Sequence, residues 1–72
     1  MFIISETHCQ QCKILKQMLG DKAMTTEFRL ASENMDLCRE LCIKTIPALV
    51  KDDETVVFNL DDIVAEIEKD NE

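Results

Sequence analysis

The chain of 72 residues holds one glycine, one proline and one histidine. So few turn-formers argue against a loop-rich scaffold stapled by disulfides, although four cysteines allow three pairings. No apolar run approaches the roughly 20 residues that cross a bilayer. No basic segment precedes a long apolar stretch at the N-terminus, so no signal peptide is read there, and a cytoplasmic, reducing location is expected. Repeats, linkers and low-complexity stretches are also lacking, which leaves one domain over 1–72. Basic charge is the remaining shortage. The net charge is −7, split between +1 over residues 1–51 and −8 over residues 52–72. Nucleic-acid binding needs cations along the phosphates, so that class is set aside. The acidic tail reads as a solvated face that keeps a small protein in solution.

What is present is a hydrophobic content of 46%, ordinary for a folded chain. Phe2-Ile3-Ile4-Ser5 has the length of a buried strand. From Cys9 to about Leu19, the stripe Ile14, Leu15, Met18 and Leu19 predicts a helix, ended by Gly20-Asp21. Thr25 to Leu30 reads as a second strand with Phe28 and Leu30 on one face. Ser32 or Asn34 can cap a helix running to about Cys42, with Met35, Cys38, Leu41 and Cys42 on its apolar side. Pro47 cannot lie inside that helix and biases Ile46 to an extended conformation. Ala48-Leu49-Val50 then forms a third strand and Thr55 to Phe58 a fourth, joined by the polar turn 51–54. Leu60, Ile63, Val64 and Ile67 have the spacing of a closing amphipathic helix. The order is β-α-β-α-β-β-α, an α/β domain whose first part is a parallel βαβ unit.

The chemistry concentrates in His8-Cys9-Gln10-Gln11-Cys12-Lys13, where a strand gives way to a helix. Two cysteines separated by two residues share one helical turn and can close a small disulfide loop. The first sulfur lies over the unpaired N–H groups of the helix start, where a thiolate is stabilised. An unperturbed cysteine ionises near pH ~8.5, and helix N-termini with nearby cations bring such thiols down to roughly 3.5–7.5. His8 and Lys13 are the candidates to add to that effect, and Glu6 opposes it.

A Cys-x-x-Cys beside a βαβ pattern, followed by Leu41-Cys-Ile-Lys-Thr-Ile-Pro-Ala-Leu49, resembles the thioredoxin/glutaredoxin superfamily over essentially the whole chain. The resemblance implies a minimal thioredoxin fold, a four-stranded mixed sheet in the order 2-1-3-4 with three helices. It implies thiol–disulfide oxidoreduction, with Cys9 as nucleophile and Cys12 as resolving thiol. Pro47 matches the family's cis-proline, which lies against the Cys-x-x-Cys. Thr45, Ile46 and Pro47 are then the substrate-binding segment, the backbone of Ile46 pairing with an extended substrate. No cofactor beyond the Cys9–Cys12 disulfide and no metal is implied.

Ser5-Glu-Thr-His-Cys9 resembles glutaredoxin sites, in which a lysine that contacts glutathione stands where this chain has Glu6. The family's Gly-Gly before an acidic pair is replaced by Phe58-Asn59, before Asp61-Asp62, and bulky side chains there obstruct close backbone approach. Both departures weigh against glutathione dependence, leaving a glutathione-dependent glutaredoxin as the alternative. The Cys-x-Gln-Cys form and the small size are similar to NrdH-type redoxins. These are glutaredoxin-like monomers reduced by a flavin-dependent thioredoxin reductase, and they supply electrons to ribonucleotide reductase. The buried acid of thioredoxins has no counterpart in Phe2-Ile3-Ile4.

Other readings compete. Cys38 and Cys42 read as core thiols, with a second redox pair as the alternative; an i, i+4 spacing suits a bridge only if the helix frays. A zinc site built from all four cysteines is a further alternative, but the 25 residues between Cys12 and Cys38 exceed the common 15–20. A redox-inert binding module of the same fold is the third class. Met18, Met24 and Met35 read as core filler. Lys44 is either solvated or steers an acidic partner toward Pro47.

Overall fold

Alternation along the first strand divides the protein into two layers of packing. The computed structural model describes residues 1–70. β1 (Phe2–Ser5) lies in the middle of a four-stranded sheet, ordered β2-β1-β3-β4, with β2 at Phe28–Leu30, β3 at Ala48–Val50 and β4 at Val56–Val57. β1 runs parallel to β2, pairing Ile3 with Phe28, and antiparallel to β3, pairing Ile3 with Leu49 and Ile4 with Ala48. β3 and β4 form a hairpin. The sheet is therefore mixed, and three α-helices cover it: α1 (Gln10–Leu19), α2 (Met35–Glu40) and α3 (Leu60–Asp70).

Because successive side chains of a strand face opposite sides, Ile3 and Ile4 belong to different cores. Ile3 and Leu49 join Leu15 and Leu19 of α1 and Ile63 and Ile67 of α3 in one cluster. Ile4, Ala48 and Val50 form the other, covered by Leu37 and Cys38 of α2 and by Leu41, Ile43 and Ile46. The first cluster holds six buried residues and the second three, and the hydrophobic residues packed around each are only partly buried. No helix among the described residues is long and apolar enough to cross a membrane.

Several boundaries differ from the sequence reading, each for a local reason. α1 buries Cys12, Leu15 and Leu19, one row of its surface, while Ile14 (37%) and Met18 (42%) are exposed. Met24 (88%) and Met35 (61%) are exposed as well, so none of the three methionines fills the core. Gly20 ends α1 at φ +58, and the chain continues as a 3-10 turn over Gly20–Met24, which shortens β2 to three residues. Ser32 sits in a second 3-10 turn, Ala31–Glu33. Asn34 stands at the head of α2, but its amide donates to the Leu30 carbonyl (2.8 Å) instead of capping the helix.

α2 stops at Glu40, short of Cys42. The Ile43 N–H donates to the Cys38 carbonyl (2.8 Å) and the Cys42 N–H to the Arg39 carbonyl (3.3 Å). This is the paired bonding of a Schellman end, with Cys42 in the left-handed position at φ +57. Cys42 is consequently exposed, whereas Cys38 packs half-buried against the second core. At β4, Thr55 and Phe58 drop out of the expected strand. Asp53 accepts the Thr55 N–H on one side (3.0 Å), and Asn59 accepts the N–H groups of Asp61 (2.8 Å) and Asp62 (3.3 Å) on the other. Asn59 is thus the N-cap of α3, with two carboxylates in the first turn complementing the helix dipole.

Candidate functional site

β1 ends at Ser5, and four residues carry the chain past the end of the sheet into α1. The Cys9 N–H donates to the Glu6 carbonyl (3.3 Å), closing a turn that sets Cys9 at the head of the helix. Its backbone is extended (φ −84, ψ 115), as an N-cap residue requires, and its Sγ takes the role usually played by a Ser or Asp oxygen. The Cys12 N–H donates to that Sγ at 3.2 Å. One of the orphan donors of the helix start is therefore satisfied by a sulfur.

The same Sγ lies 3.8 Å from the Ile46 carbonyl oxygen, toward which its thiol donates. Ile46 precedes Pro47, the bond between them is cis, and Pro47 is buried. The β1–β3 ladder begins only at Ala48, so Thr45–Pro47 lie ahead of the sheet with Thr45 exposed and Ile46 half-buried. Residues 37 positions apart in sequence are thereby brought into contact at one end of the sheet.

The two thiols differ in access. Cys9 is half-buried, and Cys12 is 2% exposed, on the row of α1 that also carries Leu15 and Leu19. Burial pushes the Cys12 thiol up to about 11, and its hydrogen bond with Cys9 acts in the same direction. In the reduced protein Cys12 is thus held protonated beneath Cys9.

His8 and Lys13 are both exposed, and among the described residues neither bonds to a thiol. The lysine whose charge opposes the rise at Cys12 is Lys16, one helical turn further on, which also lies 5.0 Å over the Phe28 ring. Its i, i+4 spacing from Cys12 was the available sequence signal. Glu6 has a structural partner: its carboxylate accepts the Ser32 N–H at 2.7 Å. That hydrogen bond holds the Glu6 carboxyl below its ordinary value. It ties the segment leading into Cys9 to the turn that precedes α2.

Cys38 and Cys42 are not part of this arrangement, and all four cysteines are free thiols. Among the described residues no three His, Cys, Asp or Glu side chains converge as a metal-binding set. The pair at α1 offers an accessible sulfur with an amide donor aimed at it and a second sulfur one turn below. Such a pair can bond first to an external sulfur and then to each other. No family model, curated protein or solved structure matches this chain.

Proposed function

We propose that this protein is a thiol–disulfide oxidoreductase of thioredoxin-like fold that reduces protein disulfides through Cys9 and Cys12. The observation that carries the reading is the dual contact of the Cys9 Sγ, 3.2 Å from the Cys12 N–H and 3.8 Å from the Ile46 carbonyl. It gives the nucleophile a donor on the helix side and, on the other side, backbone ahead of a strand, where an extended substrate can lie.

In the reaction, the Cys9 thiolate attacks one sulfur of a substrate disulfide, and the other substrate sulfur leaves as a thiolate that takes up a proton. Cys12 then loses its proton to solvent and attacks the Cys9 sulfur. The second substrate sulfur is released, leaving the Cys9–Cys12 disulfide; two electrons have passed from the protein to the substrate. Burial is the main cause of the rise at Cys12, and Cys9 adds to it through its hydrogen bond and, as a thiolate, through its charge. The charge is lost when Cys9 enters a mixed disulfide, which eases the deprotonation of Cys12 for the resolving step.

The resemblance to NrdH-type redoxins supports a monomeric electron carrier in a reducing, cytoplasmic compartment. A flavin-dependent thioredoxin reductase would reload it, and ribonucleotide reductase is a candidate recipient. Glutathione suits the site poorly: Glu6 is ionised where a cation would be wanted, and Phe58-Asn59 occupy the place of Gly-Gly, with Asn59 committed to capping α3.

The test is reduction of insulin disulfides with two reloading systems, NADPH with thioredoxin reductase and NADPH with glutathione and glutathione reductase. Turnover with the first and little with the second is expected, and both should be lost in Cys9→Ser. Equal rates for wild type and Cys9→Ser would end the reading.

A further inference from the structure

Beside Ile46, on the face of the sheet that α2 covers, an open groove of about 370 Å³ runs along the protein. Its walls are Ala31, Met35, Ile43 and Ile46, and Arg39 and Lys44 complete the lining around Cys38. The protein carries a net charge of −7, yet no carboxylate lines this groove; Asp36 and Glu40 of the same helix do not contribute to it. Among the described residues Arg39 and Lys44 form no ion pair, whereas Lys22, Arg29 and Lys51 each meet a glutamate. The hollow on the acidic side of the molecule mixes its charges instead, with Asp52, Asp53, Glu66 and Asp70 beside Lys51, Lys69 and Met1 in its lining.

Ile46 joins this groove to the reactive sulfur. Its residue lines the groove while its carbonyl oxygen lies 3.8 Å from the Cys9 Sγ. A chain whose cysteine is positioned at Cys9 can therefore reach the groove with its neighbouring residues. The Glu6–Ser32 bond anchors the backbone next to Ala31 and keeps the nearest carboxylate of the Cys9 loop on an amide of the protein.

We propose that the groove is the docking subsite for the disulfide substrate and that it selects a segment carrying an apolar side chain beside acidic residues, next to the substrate cysteine. The proposal rests on the redox reading above and adds the substrate's chemistry to it. Apolar walls accept the apolar side chain, with the exposed and flexible Met35 adapting to its shape. Unpaired cations attract the acids. Residues 52–72, at −8, repel an acidic partner from the rest of the surface and so orient it toward the groove.

The probes are two short fluorescein-labelled peptides, one with a leucine beside two glutamates and one with a leucine beside two lysines. Each is made with an internal disulfide and again with serines in place of its cysteines. Anisotropy titration of the serine forms onto the reduced protein should show the acidic peptide binding about tenfold more tightly, a preference that shrinks in high salt. In Arg39→Glu/Lys44→Glu the preference should vanish or invert. Single-turnover reduction of the disulfide forms should follow the same order. Equal binding of both peptides, or a preference untouched by the charge reversal, overturns the groove proposal while leaving the redox reading intact. Failure of the wild type to reduce either peptide ends the redox reading and, with it, the groove's role as a substrate subsite.

Discussion

Cys9 and Cys12 open α1, whereas Cys38 and Cys42 lie at the close of α2. A helix start presents N–H groups, and the Cys9 sulfur takes one of them from Cys12. A helix end presents carbonyls, and these are already used: the Cys38 oxygen by Ile43 and the Arg39 oxygen by Cys42. The second pair therefore has no amide to offer a sulfur, and the left-handed turn at Cys42 carries its side chain out to solvent. Two pairs of similar spacing thus acquire different chemistry from helix polarity. Replacing Cys9 with Ser should lower disulfide reduction by at least about a thousandfold, while Cys42→Ser should leave the rate within about twofold. Cys12→Ser should instead accumulate a mixed disulfide at Cys9, visible as an intact-mass adduct with the substrate. Loss of activity on replacing Cys42 would break the contrast.

The contrast extends to how each helix is held. Leu15 of α1 is fully buried against Ile3, Leu49 and the α3 isoleucines, whereas Leu37 of α2 is half-buried over a smaller core. Leu15→Ala should cost about 3 kcal/mol and Leu37→Ala about 1 kcal/mol, measured by urea denaturation. Similar losses at the two positions would mean that both faces of the sheet are packed alike.

A pH experiment sharpens the comparison at Cys12. Its thiol is favoured by the folded state, so the stability it contributes is complete below the unfolded value near 9 and lost as pH rises through about 11. Denaturation midpoints in a reducing buffer should therefore fall more steeply across that window in the wild type than in Cys12→Ala. Iodoacetamide at neutral pH should label Cys9 and Cys42 well before Cys12, as read by peptide mapping.

Much of this arrangement is legible in the residue pattern. The strand Phe2–Ser5, the break before Cys9 and the Pro47 that ends one segment and opens another are local signals, whereas the strand order and the Cys9–Ile46 meeting were expected only from the resemblance to the thioredoxin/glutaredoxin superfamily. Legibility fails where a choice depends on the partner surface. Ile14 and Met18 fit an apolar stripe as well as Cys12 does, but α1 packs through a single row, and the stripe read from spacing alone is too wide. The roles of Asn34 and Asn59 were interchangeable by type; only the fold decides that Asn59 caps a helix while Asn34 bonds backward to Leu30. The groove cannot be read from spacing, because Ala31, Arg39 and Ile46 come from three separate segments.

The end of α2 was hidden for a different reason: the residue at its left-handed position is not the usual glycine. A side chain at φ +57 crowds its own backbone, and glycine does not. Cys42→Gly should therefore stabilise the protein by about 1 kcal/mol, raising Tm by roughly 5 °C in a domain of this size. Cys42→Ala is the control, since it removes the sulfur and keeps the Cβ. If the left-handed backbone is the cause, glycine stabilises and alanine does not; equal gains from both would place the effect in the thiol.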